Sequence, residues 1–152
     1  MWAGLFSFVS IVAMIGWVLL AAFPRKPLTH SAILYLGVGL LCLCYAVFFA
    51  MVKGGLADPG LPAGAAAQSV DFTSIAGVRA IFQSDGGVLI GWTHYLAFDL
   101  FTGMWIARDA DGKGFSRLAQ LPFLFFTFML GPIGLLGWLV MREKRARALG
   151  RG

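Results

Sequence analysis

The sequence predicts an all-α integral membrane protein: one domain, residues 1–152, of four spanning helices, with a short amphipathic helix in the interface between the second and third. Three observations predict it. Hydrophobic residues make up 59% of the chain, charged residues only 12%, and the mean hydropathy of +0.82 is far above that of an ordinary soluble domain. Residues 1–24, 27–52 and 118–141 contain no Asp, Glu, Lys or Arg, and each run exceeds the ~20 residues that hydrocarbon requires. A fourth apolar window, residues 86–107, is broken only by Asp99, with His94 nearby.

The spans are placed at about 2–23, 31–52, 87–107 and 119–141. The first has no basic segment before its apolar run, and that run is longer than a signal peptide's, so it is expected to stay as an anchor. In the second, Cys42 and Cys44 are two apart and point about 200° away from each other on a helix, which prevents pairing. The loop that follows has two parts. KGGLADPGLPAGAAAQ, residues 53–68, is a Gly/Ala/Pro-rich connection. DFTSIAGVRAIF then spaces Phe72, Ile75, Val78 and Phe82 three or four apart, predicting an interfacial helix over about 71–83 with Asp71 as its N-cap. Arg79, the only basic residue there, has two readings: a side chain snorkelling to headgroups, or one closing over the bundle.

The third span carries the chemistry. At 100° per residue Trp92, Tyr95, Asp99 and Thr102 fall within about 80° on one face, a polar stripe in an apolar helix. Tyr95 and Asp99 are one turn apart, and His94 lies at the stripe's edge. Ionisable groups at mid-bilayer turn inward and either pair or line a site. As a site, Asp99 supplies a proton and neutral His94 accepts one; as a structural knot, Asp99 is held by Tyr95 or another helix. Gly87 and Gly91 form a G-x-x-x-G packing notch at the start of the same span.

The fourth span, LPFLFFTFMLGPIGLLGWLV, has Pro132 well inside it, which predicts a kink at Gly131 and Pro132. Gly131, Gly134 and Gly137 recur every three residues and leave a bare strip that another helix or a flat ligand can approach, with Phe128 among the aromatics beside it.

The net charge of +5 does not indicate nucleic acid, because the tail 142–152 (REKRARALGRG) supplies +4 of it, and a short basic tail after a span meets anionic headgroups. With four spans, the termini share a side with seven Lys/Arg against five on the other, which favours termini in the cytoplasm of a multi-pass protein.

Together GWTHYLAFDLFTGMWIARDA (91–110), SIAGVRAIF (74–82), FPR (23–25) and LPFLFFTFMLGPIGLL (121–136) resemble the abscisic-acid-deficiency membrane protein family, whose plant members are required to make neoxanthin from violaxanthin. Lacking a long plastid-targeting extension, the chain looks like a bacterial-type member in an inner membrane. The resemblance implies carotenoid or xanthophyll metabolism. It makes a cofactor-independent isomerase of an epoxy-carotenoid one expectation, with no metal and no electron carrier. His94 and Asp99 would be the acid–base centre, Tyr95 would orient Asp99, and Arg79 would close the site. Trp92, Thr102, Phe128, Gly131 and Gly134 would hold a carotenoid or similar long isoprenoid between the third and fourth spans. The other expectation is a non-enzymatic scaffold or accessory subunit that contacts other membrane enzymes or a second copy of itself.

Overall fold

The computed structural model describes residues 1–23, 26–64 and 71–149; Pro24 and Arg25, the last part of the loop connection (65–70) and the end of the tail (150–152) lie outside the described residues. The described residues are helical, with no strand among them. The helices are α1 (Trp2–Ala22), α2 (Pro27–Lys53), α3 (Ile75–Ile81), α4 (Asp85–Gly112), α5 (Arg117–Leu130) and α6 (Pro132–Leu149). Of these, α1 and α2 are long and apolar enough to cross a membrane. α4 has 28 residues, ample length, but the polar stripe around His94 and Asp99 makes it less apolar.

α4 is the centre of the bundle and packs against α1, α2, α5 and α6. Small residues set the distances. Leu100 of α4, fully buried, reaches between Gly16 of α1 and Gly37 of α2, where an added Cβ would lie 2.7 and 3.1 Å from its methyl carbons. Gly103 gives the Trp17 ring its place on α4 in the same way. Gly37 belongs to a π-helical stretch, Ile33–Gly39, inside α2, whose wider turn changes the phase of the helix downstream.

The fourth expected span, 119–141, is not one kinked helix. α5 ends at Leu130, Gly131 takes φ +43° and ψ −95°, and α6 starts at Pro132 and runs back along α5. The reversal is shown by contacts that a continuous helix would hold far apart: Gly134 lies against Thr127, and Trp138 meets the Phe123 ring edge-on at 5.6 Å. Pro132 cannot donate to the carbonyl one turn back, and a glycine accepts the positive φ, so the chain turns instead of bending. The glycine strip expected to receive a ligand is filled by this return, with Gly134 on Thr127 and Gly137 3.1 Å from the Phe123 ring, measured from an ideal Cβ.

The hairpin changes where the tail lies. Met1 and the tail are at opposite ends of the bundle, not on one side as four spans would require. At the first end, the Trp2 indole donates to the Asp58 carbonyl (3.0 Å), and Asp85 at the start of α4 donates from its backbone to Gly60. At the other, Arg117 donates to the carbonyls of Ala21 and Ala22 (3.0 and 2.8 Å), capping α1, and Arg145 donates to that of Gly114 (2.8 Å).

The returning arm of the hairpin is tied to α4 at that second end by Asp109. Its carboxylate accepts from Arg142 through Nε and Nη2 (2.6 and 2.9 Å), from the buried Trp138 indole (3.0 Å) and from Lys113 (2.7 Å). The interfacial helix is shorter than expected: it starts at Ile75 and its N-cap is Ser74, which accepts from the Gly77 amide at 3.0 Å. Asp71 instead folds the turn before it, accepting from the amides of Thr73 and Ser74.

Burial pushes the Asp109 carboxyl up, but hydrogen bonds from Arg142, Lys113 and Trp138 and the Arg142 charge outweigh it and hold the group below its ordinary value near 3.8. A depressed folded value stabilises the fold above the ordinary value and loses that contribution as pH falls through the folded one. Acid unfolding in detergent should therefore show a step below pH 3.8 that Asp109→Asn removes. At neutral pH, Asp109→Asn leaves the Arg142 guanidinium without its anion and should cost about 3 kcal/mol in thermal or denaturant unfolding.

Candidate functional site

α2, α3 and the first half of α4 enclose a largely apolar cavity of about 620 Å³ at the Trp2 end. One face of α2 supplies Tyr45, Phe49, Val52 and Lys53, and one face of α4 supplies Gly87, Ile90, Gly91 and His94, at helical spacings in each case. The end of α3 forms the third wall, with Phe82 and Gln83.

The α4 wall depends on Gly87 and Gly91. Any Cβ on Gly87 would collide with the Ile81 carbonyl, and one on Gly91 would press on the Phe82 ring. The expected G-x-x-x-G notch is therefore present, and what it receives is the end of α3. Ser84 caps α4 by accepting from the Gly87 amide (3.1 Å), which anchors the short connection between the two helices.

His94 is the titratable group that α4 brings to this wall, and its side chain stays exposed. It tilts against the Tyr45 ring of α2 at 5.7 Å between centroids and against Phe98 at 4.7 Å. Tyr45 in turn stacks on Phe49 at 6.3 Å. The cavity thus brings together an imidazole and a phenol, a proton acceptor and a proton donor, between apolar walls. Lys53, Gln83 and Ser84 give the cavity a polar margin at the end of the bundle.

The expected pair is not brought together. Asp99 is on another side of α4, facing the tip of the hairpin: a Cβ on Gly131 would lie 2.7 Å from its Oδ1. Tyr95, one turn earlier, reaches the same tip, its hydroxyl donating a long bond (3.4 Å) to the Met129 carbonyl. Tyr95 and Asp99 therefore share a face as the stripe predicts, while His94 does not join them.

Trp92 stacks between Phe6 and Tyr95 and donates to Ser10 Oγ at 3.1 Å, joining α4 to α1. Thr102 donates to the Phe98 carbonyl of its own helix (2.8 Å), and Phe128 packs edge-on against Trp17. Gly131 and Gly134 serve the hairpin turn and its return. Arg79 is outside the His94 cavity, beside a shallow depression on α3 with Phe72, Ile75 and Val78. Sequence reasoning missed Tyr45, one of two tyrosines in an apolar run, and Asp109, whose signal was Lys113 one turn on and the Trp138 and Arg142 pair at the same spacing.

Fold and cavity define a class: a small helical bundle with helices of membrane-crossing length, a helical hairpin folded against its central helix, and a largely apolar cavity lined in part by a histidine. The sequence pattern of the ABA DEFICIENT 4-like family matches residues 4–138, and the chain belongs to that family. Among curated proteins and among solved structures, none matches it.

Gly87→Ala should displace the end of α3 from α4. We expect a loss of about 2 kcal/mol, as for other overpacked contacts, together with weaker uptake of an apolar fluorophore by the purified protein. Gly4→Ala, where nothing lies within 4 Å of the added carbon, is the control and should change neither.

Proposed function

We propose that the chain is an integral membrane protein in which α1, α2 and α4 cross the bilayer and α5 with α6 forms a re-entrant hairpin, and that it isomerises the epoxidised end of a carotenoid or similar isoprenoid held in the His94 cavity. Each hairpin arm suits partial insertion: α5 has 14 residues, about 21 Å at 1.5 Å per residue, against roughly 30 Å of hydrocarbon. The observation that carries the functional reading is the cavity, a largely apolar cleft whose lining brings the His94 and Tyr45 rings within 5.7 Å of one another. Its 620 Å³ suits one ring end of a long polyene, with the remainder of the molecule extending into lipid. Family membership is consistent with a protein related to neoxanthin synthesis.

Opening a 5,6-epoxide to an allenic alcohol moves two protons and no net electrons. In this reading Tyr45 donates its phenolic proton to the epoxide oxygen as the carbon–oxygen bond breaks. Neutral His94 removes a proton from the adjacent polyene carbon, and that carbon–hydrogen electron pair becomes the new double bond of the allene. Return of the proton from the imidazolium to the phenolate, directly or through water, regenerates the enzyme without an electron carrier. Lys53, Gln83 and Ser84 meet a hydroxyl on the ring at the polar margin. Tyr95 bonds the hairpin tip, with Asp99 beside it against Gly131, which is the structural role their spacing also allows.

Purified protein in liposomes with an epoxy-carotenoid, followed by chromatography of the pigments, tests the reading. Product formed by this chain alone is the expected result. His94→Gln and Tyr45→Phe should each lower conversion by about 100-fold or more with folding retained, while Asp99→Asn, outside the cavity, should leave turnover per folded molecule unchanged. Inactivity of the folded chain that a co-purified protein rescues would establish the accessory-subunit reading instead.

A further inference from the structure

The hairpin redistributes the charge of the bundle. Among the described residues, Lys26, Arg108, Lys113, Arg117, Arg142, Lys144, Arg145 and Arg147 lie at the Ala22 end, where α1 and α4 finish and the hairpin has its feet. Only Lys53 and Arg79 lie at the Trp2 end. A straight fourth helix would have carried the tail's cations to the Trp2 end and left the two sides nearly equal. With the chain folded back at Gly131 the asymmetry is eight to two.

Lys and Arg in short loops and next to spans are retained in the cytoplasm, and acidic residues contribute little to that rule. The loop joining α2 to α4 is short enough for the rule to apply to it, and its two cations flank the cavity region, with Lys53 in the lining and Arg79 on α3. We propose that the Ala22 end is the cytoplasmic face, so the His94 cavity opens in the opposite, extracytoplasmic leaflet and takes its ligand from there. The ligand part of this inference rests on the cavity reading given under Proposed function; the orientation rests only on the membrane crossing proposed there.

The geometry agrees with a ligand that arrives within the leaflet. α3 carries exposed Phe72 and Ile75 (80% each) before and at its start and exposed Phe82 after it, so the lid over the cavity has an apolar surface suited to lying among lipids. The polar margin of Lys53, Gln83 and Ser84 lies at the same end as α3, where a ring hydroxyl reaches the headgroup region while the polyene stays in hydrocarbon. No route from the Ala22 end is needed, since that end of α4 is closed by buried Ile106, Ala107 and Ala110 and by the Asp109 cluster.

The test uses the full chain with Cys42→Ala and Cys44→Ala, into which single cysteines are placed at Leu56 and Ala76 for the Trp2 end and at Lys144 and Ala148 for the Ala22 end, all exposed positions. A membrane-impermeant maleimide is applied to spheroplasts and to inside-out vesicles, with detergent-solubilised protein as the reference for reactivity. Leu56→Cys and Ala76→Cys should react in spheroplasts, and Lys144→Cys and Ala148→Cys only in inside-out vesicles. The reverse pattern, or labelling of both ends from one side, overturns the orientation. For the ligand, Gln83→Cys should react in spheroplasts of pigment-free cells and be protected at least several-fold in cells that accumulate an epoxy-carotenoid. Equal labelling in the two cell types, with the end pattern as expected, overturns the ligand reading and leaves the orientation standing.

Discussion

The Asp109 carboxylate is the tie on which the arrangement of this bundle depends. It stands one turn from the end of the central helix and takes donors from its own helix, through Lys113, and from the returning arm of the hairpin, through Trp138 and Arg142. Without it the return of α6 would rest on side-chain packing and the Arg145 bond to the Gly114 carbonyl, against a turn at Gly131 that few residues can adopt. Trp138 is both a donor to this cluster and the aromatic centre of the hairpin, packed edge-on against Phe115 and Phe123. Charge and packing therefore fix one register, in which the turn arrives opposite Asp99 halfway along α4.

That register decides where a ligand can be held. The hairpin covers the side of α4 that carries Asp99, and α1 meets the central helix through Gly16 and Gly103. The face bearing Gly87, Gly91 and His94 meets the short α3, the end of α2 and the loop at Pro59 and Leu61, and there the packing leaves a cavity. α3 is too short to fill the space beside a helix of 28 residues.

The helical class and the positions of the first three long helices were legible from the apolar runs, because length and absence of charge are properties of a segment taken alone. The hairpin was not. Residues 119–141 have the length of a span, and Gly131 followed by Pro132 suits a kink as well as a reversal; the difference lies in Asp109, more than twenty residues upstream, and in its meeting with Arg142. The glycines at 131, 134 and 137 were recognisable as a place of close approach, but what approaches is the chain's own α5. Ser74 and Asp71 are both good capping residues three positions apart, and the choice between them fell to Asp71 being occupied by Thr73. His94 stood out as a polar group in an apolar run. Its neighbour Tyr45 did not, because the π-helical stretch Ile33–Gly39 alters the phase of α2 before Tyr45 and regular spacing cannot follow it.

The turn at Gly131 also bears on how such a chain enters a bilayer. A segment as apolar as 119–141 would be accepted by an insertion machinery as an ordinary span, and nothing in its own composition forbids the straight form. On the orientation inferred above, straightening it would pull Arg142, Lys144, Arg145 and Arg147 through the membrane, against roughly 2.5–3.5 kcal/mol for each at the centre. The basic tail thus acts as a stop placed after the segment: it holds the far end of α6 at the face where α5 began, and the only way to bury the apolar stretch between them is to fold it in two.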